Sequence, residues 1–367
     1  MRICYLADAD SIHTQRWVNY FAGKGHEIHL ISHRLGEGYA QGIQLHQLTV
    51  PLPQKAWVAL RSINVLVRIS KVRRLVNRIK PDIIDAHFII TNGFLGAASG
   101  FHPLVLTAWG SDILLLSKSN FCGRFLTEYA LKRAEIVICD SETIRNELIK
   151  LGVKPANIRI IYNGIDTQQF SPQPDIQLKN RLGLQATSVV ISTRNLRSVY
   201  NVDMLIRAIP LILEHITQVR FMIIGDGEQR EYLESLATSL AISENISFVG
   251  WIPHDELPGY LTSSDIYVST SRSDSTSISL QEAMACELAP VVTDLPANRE
   301  WIKDAENGFL VPVDDSQALA KRIIHLIRNK EIREKFGKES RKIIKERAEY
   351  KEEMEKMERI YQELLRG

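Results

Sequence analysis

Short Val/Ile-rich runs alternate with helical patterns along almost the whole chain, and this alternation leaves few folds open to it. RICYLA, EIHLIS, DIIDAH, LVLTAW and EIVICD are each followed by a stretch with helical spacing. The alternation restarts after residue 170 with SVVIST, VRFMII, DIYVST and PVVTD. Continuous apolar strands separated by helices imply parallel sheets covered on both faces. A chain of 367 residues is too long for one compact core and comfortable for two. The segment NGIDTQQFSPQPDIQ, with its Asn-Gly and two prolines, marks the join. The expected fold class is α/β, with two doubly wound, Rossmann-like domains at 1–165 and 166–344 facing a cleft. In such sheets ligands bind beyond the C-terminal ends of the strands. Residues 317–365 read as Lys- and Glu-rich helices. The last of them, about 345–367, is expected to pack back on the first domain; the alternative is a solvated amphipathic helix.

Composition excludes several classes. Apolar content of 45% and charged content of 24% suit a soluble globular protein. A net charge of +2 gives no argument for a nucleic-acid partner. Cys4, Cys122, Cys139 and Cys286 are scattered without metal-ligand spacing, which suits a reducing cytoplasm and argues against a disulfide framework. MRICYLADAD reads as a strand rather than a signal peptide. No apolar run reaches about 18 residues, so no membrane span is expected.

Chemistry concentrates at strand ends. In SRSDSTSISLQEAMACELAP, Asp274 lies in a strand-to-helix loop and Glu282 about one turn into the helix. Between them the backbone N–H groups of Ser277, Ile278 and Ser279 sit at a helix N-terminus, an arrangement suited to a diphosphate flanked by sugar hydroxyls. The alternative is a polar turn with capping serines. Arg194 and Arg197 follow the strand SVVIST and carry guanidinium groups that can neutralise the same diphosphate; otherwise they are surface arginines. Gly225 and Asp226 begin a Gly-x-Gly after VRFMII that lacks the third glycine of a dinucleotide fingerprint, because position 230 is Arg. Gly250, Trp251 and Ile252 in FVGWIP either wall a base or belong to the core.

In the first domain, three loops converge on one rim. ADADSIHTQRW holds Ser11 and His13, IIDAHFIITNG holds His87, and LTAWGSDI holds Trp109 and Asp112. Their grouping favours an acceptor site, although a lone His at a strand end is more often structural. Asp8-Ala9-Asp10 is a D-x-D, yet no Cys/His cluster or third carboxylate supports a metal. Residues 55–80 have helical apolar spacing and seven Arg/Lys between Arg61 and Lys80. Two readings are open there: a helix on an anionic membrane surface, or a helix packed on the first sheet with a basic outer face.

Taken together, these residues resemble a retaining glycosyltransferase of family 4, with the two-lobed GT-B fold, over nearly the whole chain. The acid-x7-acid motif with SxSLQEAMAC carries most of the resemblance. GHEIHLIS, DAHFIITNG, WGSDI, YNGIDTQQFSP, GDG, FVGWIP and NREWIKDAENGFLVP support it. The resemblance implies that Glu282 holds the nucleotide ribose. It also implies that Asp274, with Ser275 beside it, contacts the donor sugar, and that Arg194 holds the diphosphate. Four departures stand out. Asp274 replaces the usual Glu. Tyr200 stands where a Lys usually serves, which assigns that charge to Arg197. Trp109 stands in the place of a His, which moves catalytic expectations to His13, His87 and Asp112. Glu287 stands where Gly usually caps the helix.

The reading is transfer of a hexose from a nucleotide sugar to a hydroxyl of a glycan or lipid-linked saccharide in cell-surface or exopolysaccharide biosynthesis. By resemblance the anomeric configuration is retained. UDP-glucose is the favoured donor, and neither a metal nor another cofactor is expected. The expected location is the cytoplasm, with the basic helix offering a route to the inner membrane face. A nucleotide-sugar epimerase of the same fold and a non-catalytic sugar-nucleotide-binding partner are the competing readings. A nicotinamide-dependent oxidoreductase is disfavoured by the broken glycine pattern.

Overall fold

The computed structural model describes residues 1–49, 58–116, 121–185 and 187–366. The chain divides into two compact units. One is Met1–Asn163 with the C-terminal stretch from Glu352; the other is Gly164–Lys351.

The first unit is built on seven strands: β1 (Arg2–Leu6), β2 (Glu27–Ser32), β3 (Gln44–Gln47), β4 (Ile83–His87), β5 (Leu104–Thr107), β6 (Ile136–Cys139) and β7 (Ile158–Ile160). They lie in the order β3-β2-β1-β4-β5-β6-β7, and every pairing is parallel. The second unit has β8 (Ser188–Ser192), β9 (Val219–Ile224), β10 (Ile246–Gly250), β11 (Ile266–Ser269), β12 (Ala289–Thr293) and β13 (Phe309–Val311). Their order is β10-β9-β8-β11-β12-β13, again all parallel. In each sheet the order reverses once, beside the first strand of the unit. These reversals, β1/β4 and β8/β11, are where a doubly wound sheet opens a crevice for a ligand.

The apolar runs become central strands because both faces are covered. Val190, Phe221, Ile223, Ile266, Val268 and Val291 share one core with Leu205, Ile209 and Ile212 of the helix Val202–Leu213. Each such side chain contributes roughly 1.5–3 kcal/mol by leaving water. In the first unit, Val72, Val76 and Ile79 of the helix Val58–Ile79 join Cys4, Leu6, Ile84 and Leu106. This is the apolar face foreseen at residues 55–80, of which 55–57 lie outside the described residues. Arg73 on that helix donates from Nε to Ser99 O at 3.1 Å and from Nη2 to Ala98 O at 3.0 Å, so it ends a neighbouring helix. Among the described residues no helix is long and apolar enough to cross a membrane.

The C-terminal helix Tyr350–Arg366 buries Met354, Met357, Ile360 and Tyr361. These positions form one stripe at helical spacing. Tyr361 donates to Asp85 Oδ2 at 2.5 Å, His26 donates to Glu358 at 2.9 Å, and Glu353 accepts from Tyr162 N at 2.9 Å.

Glu287, which stands where the resemblance expects Gly, adopts a costly backbone geometry. The helix Ile278–Ala285 closes with Leu288 N donating to Ala283 O (3.0 Å) and Glu287 N to Met284 O (3.1 Å). That closure requires a left-handed residue, and Glu287 has φ of 62°. The helix Lys330–Arg347 approaches this turn so closely that a Cβ on Gly337 would lie 1.9 Å from Glu287 O. Glu287→Gly is therefore expected to stabilise the second unit by about 1 kcal/mol. The lost contact to Arg341, at 3.9 Å, offsets little of that. A higher denaturation midpoint at unchanged slope is the expected result; an unchanged or lower midpoint contradicts it.

Candidate functional site

At the β8/β11 reversal the structure joins Arg194, Asp274, Ser277 and Ser279. Arg194 lies two residues past the end of β8 and is only 8% exposed. Its Nη1 donates to Ser277 Oγ (2.6 Å) and Ser279 Oγ (3.0 Å), and its Nη2 donates to Asp274 Oδ2 (2.7 Å). Ser277 caps the helix by accepting from Leu280 N at 3.3 Å. The N–H groups of Ile278 and Ser279, in the first turn, have no carbonyl partner inside the helix and form its positive end. A guanidinium and a helix N-terminus thus converge on one spot. Burial opposes the Arg194 charge, but the Asp274 carboxylate and the neighbouring tyrosines outweigh it, and the group stays protonated. Arg194 Nε and Thr193 Oγ1 are buried without a hydrogen-bond partner among the described residues. Such donors need an explanation in a native fold, and an anionic ligand supplies one.

The substitution at position 200 has a local account. The Tyr200 ring lies under the Arg194 guanidinium, 4.1 Å from its centroid. A cation-π contact on Arg194 takes the place of a second cation. Arg197 is exposed, and among the described residues no hydrogen bond or ion pair joins its guanidinium to this cluster. Tyr200, not Arg197, is what the fold brings to Arg194. Asp274 is likewise engaged: Oδ2 on Arg194, and Oδ1 accepting from Ser275 N at 3.1 Å. The shorter side chain reaches the arginine in the same unit.

Glu282 is 4% exposed and accepts from His254 Nε2 at 2.6 Å. Sequence reasoning missed His254, whose only local signal is its place two residues beyond Ile252 in the loop after β10. It also missed Tyr267, whose hydroxyl shares a hydrogen bond with Ser279 Oγ at 2.8 Å. Tyr267 was detectable as the residue of β11 facing away from Ile266 and Val268.

The Gly-x-Gly has a packing task. Gly225 has φ of 130°, and a Cβ there would lie 2.5 Å from Arg194 O. Asp226 O accepts from Leu196 N at 3.0 Å. Together they seat the Arg194 loop against the end of β9. Gly250 accepts from Gly225 N at 2.8 Å, Trp251 is 74% exposed beyond it, and Ile252 is half-buried.

At the β1/β4 reversal of the first unit the rim is aromatic. His13 stacks on Trp109 with ring centroids 5.1 Å apart, and Trp17 and His87 meet edge-on at 5.4 Å. Ser11 precedes the helix Ile12–Gly23 without a side-chain cap. His87 is 2% exposed, 3.6 Å from Asp85. Asp112 does not present a carboxylate to the rim. It is fully buried, with Oδ2 accepting from Ile89 N (2.8 Å) and Oδ1 from Trp109 N (3.1 Å). Burial pushes its pKa up to about 6 despite these amides. It ties the loop after β4 to the loop after β5, a structural role in place of the catalytic one expected. Among the described residues no group of three or more His, Cys, Asp or Glu is placed to hold a metal ion.

Comparison with known proteins places these features in a family. Residues 177–343 match the family described as Glycosyl transferases group 1, and residues 2–141 match Glycosyl transferase 4-like. The chain belongs to the GT4-type glycosyltransferases. This glycosyltransferase is 26% identical to N-acetyl-alpha-D-glucosaminyl L-malate synthase of Bacillus anthracis, over 94% of this chain and 91% of that protein. It is 29% identical to phosphatidyl-myo-inositol mannosyltransferase of Mycobacterium leprae, over 78% and 75%. Among solved structures, Anabaena HepE in complex with UDP-glucose superposes with a TM-score of 0.84 at 20% identity, covering 99% of this chain and 100% of that one. Sucrose-phosphate synthase from Thermosynechococcus elongatus gives 0.82 at 16% identity, covering 99% and 98%. The fold is therefore GT-B, with two Rossmann-like domains.

Proposed function

We propose that this glycosyltransferase moves a hexose from a nucleotide sugar, UDP-glucose first, to a hydroxyl of a glycan or lipid-linked saccharide, with retention of configuration. The observation that carries the reading is Arg194 held on the first turn of the helix Ile278–Ala285, with Asp274 and Glu282 on either side of that turn. The diphosphate lies on Arg194 and the Ile278 and Ser279 amides, the ribose on Glu282, and the sugar beside Asp274 and Ser275. As the bond from the anomeric carbon to the phosphate oxygen breaks and the bond to the acceptor oxygen forms, the acceptor proton passes to the departing diphosphate. Arg194 and the helix end stabilise the charge developing there, so no step is assigned to a metal ion. The first-unit rim of Ser11, His13 and Trp109, with the buried His87 packed behind Trp109, is assigned to the acceptor. The UDP-glucose complex of HepE supports that donor, and the mannosyltransferase named among the relatives supports the reaction class.

A panel of nucleotide sugars and acceptors, with the product's anomeric configuration read by proton NMR, tests this. The expected result is an α-linked product from UDP-glucose, undiminished after dialysis against EDTA. A β-linked product, or turnover that depends on added metal, contradicts it.

A further inference from the structure

We infer that His254 is a positioning residue for Glu282, holding one carboxylate oxygen so that the other meets the hydroxyls of a ribose. This rests on the donor reading above. Glu282 is almost wholly buried in the fifth position of its helix. Its Oε1 accepts from His254 Nε2 at 2.6 Å, a short hydrogen bond to an ionised acceptor. Among the described residues no other side chain donates to that carboxylate, which leaves Oε2 as an acceptor for a hydroxyl. His254 is itself held. Its ring lies 5.2 Å from the buried Phe170 ring. Phe170 is fixed in turn by its N–H on Asp166 O (2.8 Å) and by Arg341 Nη1 donating to its carbonyl (2.9 Å). A support therefore runs from Arg341 through Phe170 and His254 to Glu282, all within the second unit. A site whose buried acceptor waits for a hydroxyl discriminates strongly against a ligand lacking one. The class of ligand selected is a ribonucleotide rather than its deoxy analogue.

The test is calorimetric binding of UDP, or of GDP if it binds the wild type more tightly. His254→Phe keeps the ring against Phe170 and removes the donor. His254→Gln returns a donor near the place of Nε2. His254→Phe is expected to weaken binding about tenfold and His254→Gln no more than about threefold, the scale of one hydrogen bond to a charged group. The 2′,3′-dideoxy diphosphate is expected to bind wild type and His254→Phe equally, because the effect travels through the ribose hydroxyls. Equal losses for both nucleotides, or no loss for either, overturn the inference. Glu282→Gln separates it from the reading beneath it. If that variant keeps full UDP affinity, the ribose role of Glu282 itself fails. If it weakens UDP while His254→Phe does not, only the positioning role fails. Failure of wild type to bind UDP and GDP overturns both.

Discussion

Arg194→Ala is expected to lower turnover by about 10²–10³-fold, the effect of removing one preorganised charge donor from a site where negative charge develops. Nucleoside diphosphate binding should weaken with it, by about 1.5–3 kcal/mol. The size of the effect follows from how completely this guanidinium is fixed. Ser277 and Ser279 hold its Nη1, Asp274 holds its Nη2, and Tyr200 covers its face. A fixed donor loses little entropy when the phosphate arrives. Arg194→Lys should recover only part of the loss, because an ammonium cannot reach both serines and the carboxylate in one plane. Steady-state kinetics with the preferred donor, together with calorimetric titration of the diphosphate, measure both quantities. Near-normal turnover and affinity in Arg194→Ala contradict the diphosphate role.

Tyr361→Ala is expected to cost the first unit about 4 kcal/mol of stability, the range for deleting a fully buried aromatic side chain. The ring packs 5.2 Å from the Phe21 ring, and the hydroxyl donates to Asp85 Oδ2 at 2.5 Å. Asp85 is fully buried, and its other oxygen accepts from Thr107 at 2.8 Å. Removing Tyr361 therefore opens a cavity and leaves a buried carboxylate oxygen without its donor. Tyr361→Phe isolates the second effect and should cost about 1–3 kcal/mol. Scanning calorimetry is the measurement, with the transition of the first unit falling and that of the second holding. A loss below about 1 kcal/mol in Tyr361→Ala contradicts the account of the C-terminal helix as part of the first core.

The sequence shows the central strands clearly, and the edges less so. RICYLA, DIIDAH, VRFMII and DIYVST are continuous apolar runs because helices cover both sides of each sheet. β3 (QLHQ) and β7 (IRI) are short and lie at sheet edges, and neither carries a comparable apolar run. At the site, Arg194, Asp274, Ser277, Ser279 and Glu282 are legible because each sits just past a buried strand or opens the helix after it. Partnerships that cross loops are not legible. His254 lies 28 residues before Glu282, and Asp112 bonds an amide 23 residues before it. The catalytic expectation for Asp112 failed for this reason: an acid at a strand end looks the same in sequence whether it faces solvent or two backbone amides. The resemblance assigns Arg197 the charge of a missing lysine; the structure leaves it exposed and places the Tyr200 ring, a contact the sequence did not flag, against Arg194.

The central claim is that the β8/β11 edge of the second unit holds the diphosphate of the donor. A crystal structure grown with UDP-glucose, or with the nucleotide sugar that proves preferred, tests it most directly. The account predicts phosphate oxygens within hydrogen-bonding distance of Arg194 and of the Ile278 and Ser279 amides, with the ribose on Glu282. Density that places the phosphates away from Arg194 and that helix end would contradict it.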